Sequence, residues 1–237
     1  MRKISRRSER KAPYTMTTSS LELASLLCSR LCHDMLSPVG ALSNGLELLA
    51  DENDPEMRQR CFELLEQSAR TSAAKLKFFR LAFGAAGGFG EQVSIDEPKA
   101  VIETLAADAK RVELNWAIEA ASVSKSAAKV MLNLANIGLD ALVRGGTLDV
   151  GIEVRDDATE IVVRAAGPKI AFDPVIGDAL GGRMDPAELT GRTAPAHLLA
   201  MLADKEGGLI QTHAEVGTLL MGATLPNGGS NTPAYAG

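Results

Sequence analysis

The sequence predicts an α+β protein: an N-terminal antiparallel helical hairpin, paired with a second copy into a four-helix bundle, followed by an α/β sandwich. Three observations carry this. Apolar residues recur at heptad spacing through residues 19–83 with one break; a glycine-rich stretch, "GAAGGFGEQ", follows at 84–92; and from 93 to 226 short alternating runs are interleaved with helical ones. The chain of 237 residues is 46% hydrophobic, enough to build cores in both parts.

Residues 1–18 are basic and polar and lack the apolar run of a secretory signal, so a disordered tail is expected, with Met16 an alternative start to Met1. The first helix opens at Ser19, with Glu22 three residues on in capping-box spacing. Leu21, Cys28, Met35, Leu42 and Leu49 recur every seven residues; Ala24, Leu31, Pro38 and Gly45 fill the intervening row, with Val39 and Leu46 beside them. That seam belongs to a helix about 45 Å long at 1.5 Å per residue. "DENDP" ends it, and Asp54 caps a second helix whose first position is Pro55. Met57, Cys61, Leu64, Leu65, Ser68, Ser72, Leu76 and Phe79 carry the second seam to Phe83. Two such helices cannot hide both apolar stripes alone, and two hairpins can, which predicts a homodimer.

Beyond the linker, "VSI" predicts a short strand and "EPKAVIETLAADA" a helix; "RVELNWAIEA" alternates as a strand, and "SKSAAKVMLNLANIGLDALVR" is helical up to a Gly-Gly stop. "TLDVGIEVRDDATEIVVRAA" is a hairpin, "TAPAHLLAMLADKEGG" a third helix and "LIQTHAEVGTLLMGATLP" a closing strand pair, with helices expected on one face of a mixed sheet. Residues 227–237 are expected as a loose end.

Composition excludes several classes. A net charge of −5 argues against binding nucleic acid by phosphate neutralisation. No apolar run is long enough to span a bilayer, so neither membrane nor nucleic acid is an expected partner, and the expected compartment is the cytoplasm. Three cysteines, Cys28, Cys32 and Cys61, form no framework of the secreted kind. Cys28, Cys32 and His33 lie close together, but no matching ligand pair occurs elsewhere, so no metal is expected and the cysteines are assigned to the seam as small buried residues. His197 and His213 are expected to be structural or surface histidines.

The chemistry concentrates in "LCHDMLSPVGALSNGLELL", residues 31–49. With Cys28, Met35 and Leu42 at the core-facing position, His33 falls on the outermost face, beside Arg30, Ser37, Gly40, Ala41 and Asn44. An exposed imidazole is largely neutral near pH 7 and keeps a nucleophilic nitrogen; position alone equally fits a chance surface histidine. Pro38 inside a helix costs about 3 kcal/mol and frees a backbone carbonyl.

"HDMLSP" resembles the histidine box of the dimerisation and phosphotransfer domain of bacterial histidine kinases. The resemblance makes His33 the phospho-acceptor and Asp34 the residue that orients its ring and helps manage its proton; Pro38 would bend and loosen the helix, and Ser37 would stand where a phosphatase water or a receiver could be contacted. Arg30, Leu36, Gly40, Ala41 and Asn44 become the expected receiver contacts. The second half resembles a degenerate histidine kinase ATPase domain. In "MLNLANIGLDAL" Asn133 survives, but Ile137 occupies the magnesium-ligand position and Asn136 is one residue out of register. "VVRAAGPKI" places Ala165 at the adenine-reading aspartate and Lys169 at a glycine, keeping Gly167. "LTGRTAPAH" keeps Gly191 and offers Thr193 and Pro195 for flexible glycines. No bound cofactor is therefore expected on this chain, and Arg164 and Lys169, near the former nucleotide site, are candidate docking residues.

A phosphotransfer helix joined to a disarmed kinase domain resembles the dimeric histidine phosphotransferases of α-proteobacterial cell-cycle phosphorelays, over about residues 19–226. Such a protein takes phosphoryl from the receiver of a hybrid histidine kinase (CckA-like) and passes it to response-regulator receivers (CtrA-like and CpdR-like), with Mg²⁺ held by the receiver. An ATP-dependent kinase with an atypical pocket and a non-catalytic dimeric scaffold for receivers are the competing readings.

Overall fold

A computed structural model of the chain describes residues 20–84, 92–109 and 111–227. The expected basic tail, the capping Ser19, the choice between Met1 and Met16 and most of the glycine-rich stretch lie outside the described residues. Helix α1 spans Ser20–Asp51 and α2 spans Pro55–Phe83. The turn between them is built as its residues dictate. Asp54 accepts from the Glu56 amide at 3.3 Å, Pro55 occupies the first helical position, and Arg58 donates to the carbonyls of Leu49 (3.1 Å) and Glu52 (2.8 Å) near the end of α1, groups that a helix end leaves without partners. Pro38 and Gly45 are buried in the hairpin; at Gly45 a Cβ would stand 2.9 Å from Leu65 Cδ2, so the glycine sets how closely the two helices approach.

One hairpin covers only part of the predicted seam. Of the Ala24–Gly45 row, Pro38 and Gly45 are buried and Leu31 half-buried, whereas Ala24, Leu21 (78% exposed), Val39 (49%) and Leu46 (59%) are open. Cys28 and Cys32, assigned to the seam as buried residues, are exposed; only Cys61 is buried. The reason is angular: residues 39 and 46 follow their buried neighbours by one position, about 100° further round the helix.

The second half forms a two-stranded ribbon, β1 (Gln92–Ser94) with β3 (Ser122–Ser124), and a five-stranded sheet. The sheet comprises β2 (Val112–Ile118), β4 (Gly146–Val154), β5 (Ala158–Ala166), β6 (Leu209–Glu215) and β7 (Thr218–Pro226), in the order β2-β4-β5-β7-β6. The β2–β4 pair is parallel and the others antiparallel. Helices α3 (Asp96–Asp108), α4 (Lys125–Ala141), α5 (Pro174–Leu180) and α6 (Ala194–Lys205) complete it. Period-2 alternation turns Leu148, Val150, Ile161, Val163 and Ala165 into the core, under α4, which is buried along most of its length. At Gly138 of α4 a Cβ would stand 2.5 Å from Leu148 Cδ1, so α4 lies directly on the sheet.

The hairpin and the sandwich share one core. Phe78, Leu81 and Ala82 of α2 join the same buried cluster as Val93, Ile102 and Leu132. Lys129 donates to the carbonyl of Gly84 at 2.9 Å and Thr71 to Asp108 at 2.6 Å. The stretch read as a linker at 84–92 is therefore shortened at both ends: Gly84 caps α2 and Gln92 starts β1. Asn227, placed in the C-terminal tail, instead closes the sheet: its amide donates to Asp157 at 2.8 Å and its side chain accepts from Thr159 at 2.7 Å and donates to the Arg155 carbonyl. No helix among the described residues is long and apolar enough to cross a membrane.

Candidate active site

His33 projects from α1 with 80% of its side chain exposed, and its Nδ1 lies 3.1 Å from Asp34 Oδ1. Asp34 is more sheltered, at 18%. A carboxylate held against a guanidinium can only accept, so Nδ1 carries the hydrogen, and in the neutral ring Nε2 presents its lone pair to solvent.

Asp34 is fixed from two further directions. Arg30, one turn earlier, donates from Nε to Asp34 Oδ2 at 2.8 Å. Pro38, four residues on, has no amide hydrogen to give the Asp34 carbonyl, and Lys75 of α2 donates to that carbonyl at 3.1 Å. The helix runs through Pro38 without a break, so the expected loosening of α1 takes the form of one exchanged hydrogen bond. Ser37 and Asn44 are exposed, Leu36 is 71% exposed, and Gly40 and Ala41 are half-buried; a Cβ on Gly40 would meet nothing within 4 Å. The surface around His33 is thus open and low.

Two of the expected docking cations are placed differently. Arg30 does not project toward a visitor: it is a quarter exposed and turned between Asp34 and Asp140 of α4, whose Oδ2 is 3.7 Å from Arg30 Nη2. Arg164 pairs with Asp149 at 2.9 Å across β4 and β5, on the face of the sheet opposite α4, because its neighbours Val163 and Ala165 take the inward positions. It is therefore not near the former nucleotide site. Lys169 is exposed, two residues before Ala171 at the edge of that site.

Asn133, Ile137 and Pro195, positions that the resemblance aligns with nucleotide-binding boxes, line a crevice between α1, α2, α4 and α6, together with Phe79, Asn136, Asp140, Phe172 and Arg192. Its cavity is about 120 Å³, well below the roughly 300–1,000 Å³ of small-molecule pockets. Phe78, Phe79 and Phe83 pack edge to face and tilted along one wall. Asn133 is buried and spends its side-chain amide on the Lys129 carbonyl at 2.9 Å. Ala165 is fully buried in the sheet's core layer. The Gly191 loop, in which Thr193 and Pro195 stand where a phosphate cradle would have flexible glycines, is a bonded turn, with the Thr190 amide donating to Thr193 Oγ1 at 3.0 Å. Gly191 of this loop lies against α1, where a Cβ would stand 3.4 Å from the Leu26 carbonyl. Crowding by the crevice walls pushes the Asp140 carboxyl above the usual carboxylate range, with Arg30 pulling the other way, although more than half of its side chain stays open at the crevice mouth. Among the described residues no group of three potential metal ligands comes together.

Lys75 and Asp140 were not singled out in the sequence. Pro38 signals an orphaned Asp34 carbonyl but not which donor covers it, and Asp140, seven residues after Asn133, shares that residue's helix face.

A solvent-facing histidine with an oriented ring, on a helical hairpin packed against an α/β sandwich with only a small crevice, is the arrangement of a phosphotransfer module. Residues 95–218 match the family model for the histidine phosphotransferase C-terminal domain. The protein phosphotransferase ChpT of Brucella abortus (strain 2308) is 33% identical over 208 residues, covering 88% of this chain and 98% of that relative. A solved structure described as a bacterial phosphotransferase superposes with a TM-score of 0.76 at 31% identity, covering 88% of this chain and 98% of the other. The chain belongs to the histidine phosphotransferase family, and it is a phosphotransferase of a phosphorelay.

Proposed function

We propose that His33 is the phosphoryl acceptor and donor of this relay. The chain takes phosphoryl from the receiver aspartate of a hybrid histidine kinase (CckA-like) and passes it to response-regulator receivers of the CtrA and CpdR type, in the cytoplasm and as a homodimer. The observation that carries the reading is the exposed ring with Asp34 Oδ1 at Nδ1: Nε2 is free to meet phosphorus in line. Phosphoryl transfer needs positioning and charge clamping more than covalent help from the protein. Mg²⁺ and the clamping cations belong to the receiver, and Ser37, Leu36, Gly40, Ala41 and Asn44 form the surface it meets, with Lys169 at its flank. The small, aromatic-filled crevice supports a chain that neither binds ATP nor phosphorylates itself.

The test is incubation of the protein with a ³²P-phosphorylated receiver and, separately, with labelled ATP, for wild type and His33→Gln. Acid-labile label gained from the receiver, absent with ATP and lost in the variant is the expected outcome. Label from ATP would restore the kinase reading, and no label from a receiver that binds would leave a scaffold.

A further inference from the structure

We propose that Arg30 is a positioning residue for this transfer: it fixes the Asp34 carboxylate against His33 and ties it, through Asp140, to α4 of the degenerate domain. The inference rests on His33 being the acceptor. An aspartate beside a solvent-facing histidine has two equivalent oxygens and free rotation, so nothing local makes it face the ring. Arg30 removes that freedom. Its Nε holds Oδ2 at 2.8 Å while Oδ1 stands 3.1 Å from His33 Nδ1. An i,i+4 ion pair on an open helix face is worth little, but here both partners are sheltered, at 25% and 18% exposure, while the ring they serve is 80% open. The outer nitrogen of the same guanidinium reaches Asp140 at 3.7 Å, and the Gly191 loop lies against the α1 backbone at Arg30. One side chain thus spans two carboxylates from two parts of the fold, which gives the filled ATPase-like domain a contact with the reacting group. A lysine cannot reproduce the geometry, since the pairing uses the fork of the guanidinium.

In the step itself, Nε2 attacks phosphorus. The Nε2–P bond forms as the bond from phosphorus to the receiver's aspartate oxygen breaks, and the electron pair leaves on that carboxylate. The ring becomes positively charged with its hydrogen retained at Nδ1, from which it donates a hydrogen bond to Asp34 Oδ1. The charge develops where Arg30 has placed the carboxylate, so the interaction strengthens during the reaction.

The experiment compares wild type, Arg30→Gln, Arg30→Lys, Asp140→Asn and His33→Gln. Single-turnover transfer from a phosphorylated receiver is measured as a function of receiver concentration, labelling by phosphoramidate is measured without a receiver, and ¹⁵N shifts of the His33 ring report its tautomer. Arg30→Gln is expected to slow both transfers about tenfold, within the roughly hundredfold that a 1 Å misplacement of a reacting group can cost. The half-saturating receiver concentration should stay the same, and the ring should shift from the Nδ1–H form toward a mixture. Arg30→Lys should recover part of the rate, and Asp140→Asn should lose about threefold. Wild-type rate and ring shifts in Arg30→Gln would overturn the proposal. So would a slower rate with an unaltered ring and a raised half-saturating concentration, since Arg30 would then be a receiver contact. A wild-type rate in Asp140→Asn removes the link to α4. Label persisting in His33→Gln overturns the acceptor assignment and this role with it, an outcome distinct from the others.

Discussion

His197 on α6 is half-buried, and its Nδ1 is enclosed without a hydrogen-bond partner. Burial lowers its pKa below the ordinary 6.5. The folded protein therefore binds this proton less readily than the unfolded chain. The contribution to stability is complete above about pH 6.5 and is lost progressively as the pH falls through that value toward the folded pKa. His197→Leu is expected to leave the unfolding temperature at pH 7.5 nearly unchanged and to flatten its fall between pH 6.5 and 5; parallel curves for the two proteins would count against the assignment. The fate of individual residues shows what sequence pattern can carry. His33 was legible as exposed because heptad phase fixes direction, and Asp34 because it is its neighbour. For Arg30 the helix face is legible but its intramolecular partner is not: the carboxylate of Asp140 comes from a helix about a hundred residues away, and one-dimensional spacing holds no trace of it. Arg164 lies on the outward side of β5, which alternation alone does not distinguish from the inward one.

Pro38 and Lys75 couple the two helices of the hairpin. In α1 the Asp34 carbonyl would ordinarily accept from the amide of residue 38; proline cannot donate, and Lys75 of α2 takes its place at 3.1 Å. Lys75→Met in the wild-type background should leave a part-buried carbonyl unpaired and cost about 1–3 kcal/mol. In Pro38→Ala the residue 38 amide returns the missing bond, and the same lysine substitution should cost at least about 1 kcal/mol less. Urea unfolding of the four proteins in this cycle gives the coupling directly, and additive effects would show that the lysine is not replacing the lost amide. At this scale the sequence was most readable where elements are long. The hairpin helices, α4 and the β4–β5 pair follow from periodicity and stop signals. The three-residue β3 and the seven-residue α5 were not anticipated, since neither is long enough to display a period. Both are held by neighbours: β3 by pairing with β1, and α5 by Asp173, which accepts from the Val175 amide at 3.1 Å and pairs with Arg192 at 3.0 Å.

For the whole molecule the deciding feature is the apolar surface that one hairpin leaves open. On α1 the exposed residues Leu21 and Cys28, and after a step of four Cys32, Val39 and Leu46, follow one another every seven residues within each run, and on α2 Phe62 (50% exposed) and Leu76 (51%) flank Ala69 in the same spacing. At roughly 25 cal/mol per Å² of apolar area, covering both lines favours association strongly, and a second hairpin offers surfaces of matching period. His33 stands about 120° round α1 from the Val39–Leu46 line, so a bundle closed on that line leaves both acceptor rings facing outward. Light scattering should give twice the chain mass for the wild type and the single-chain mass for Leu46→Glu combined with Phe62→Glu, with circular dichroism showing that the helices persist. Thiol labelling gives an independent reading. A bundle closed on this line would cover both Cys28 and Cys32, so both should react slowly in the wild type and quickly in the double variant, while Cys61, buried in the single hairpin, stays slow in both. A wild-type chain that is monomeric at tens of micromolar with fast-reacting Cys28 would sink the four-helix bundle. Phosphotransfer would then have to be explained on a single hairpin, with the open α1 line a surface for the receiver instead of a second copy.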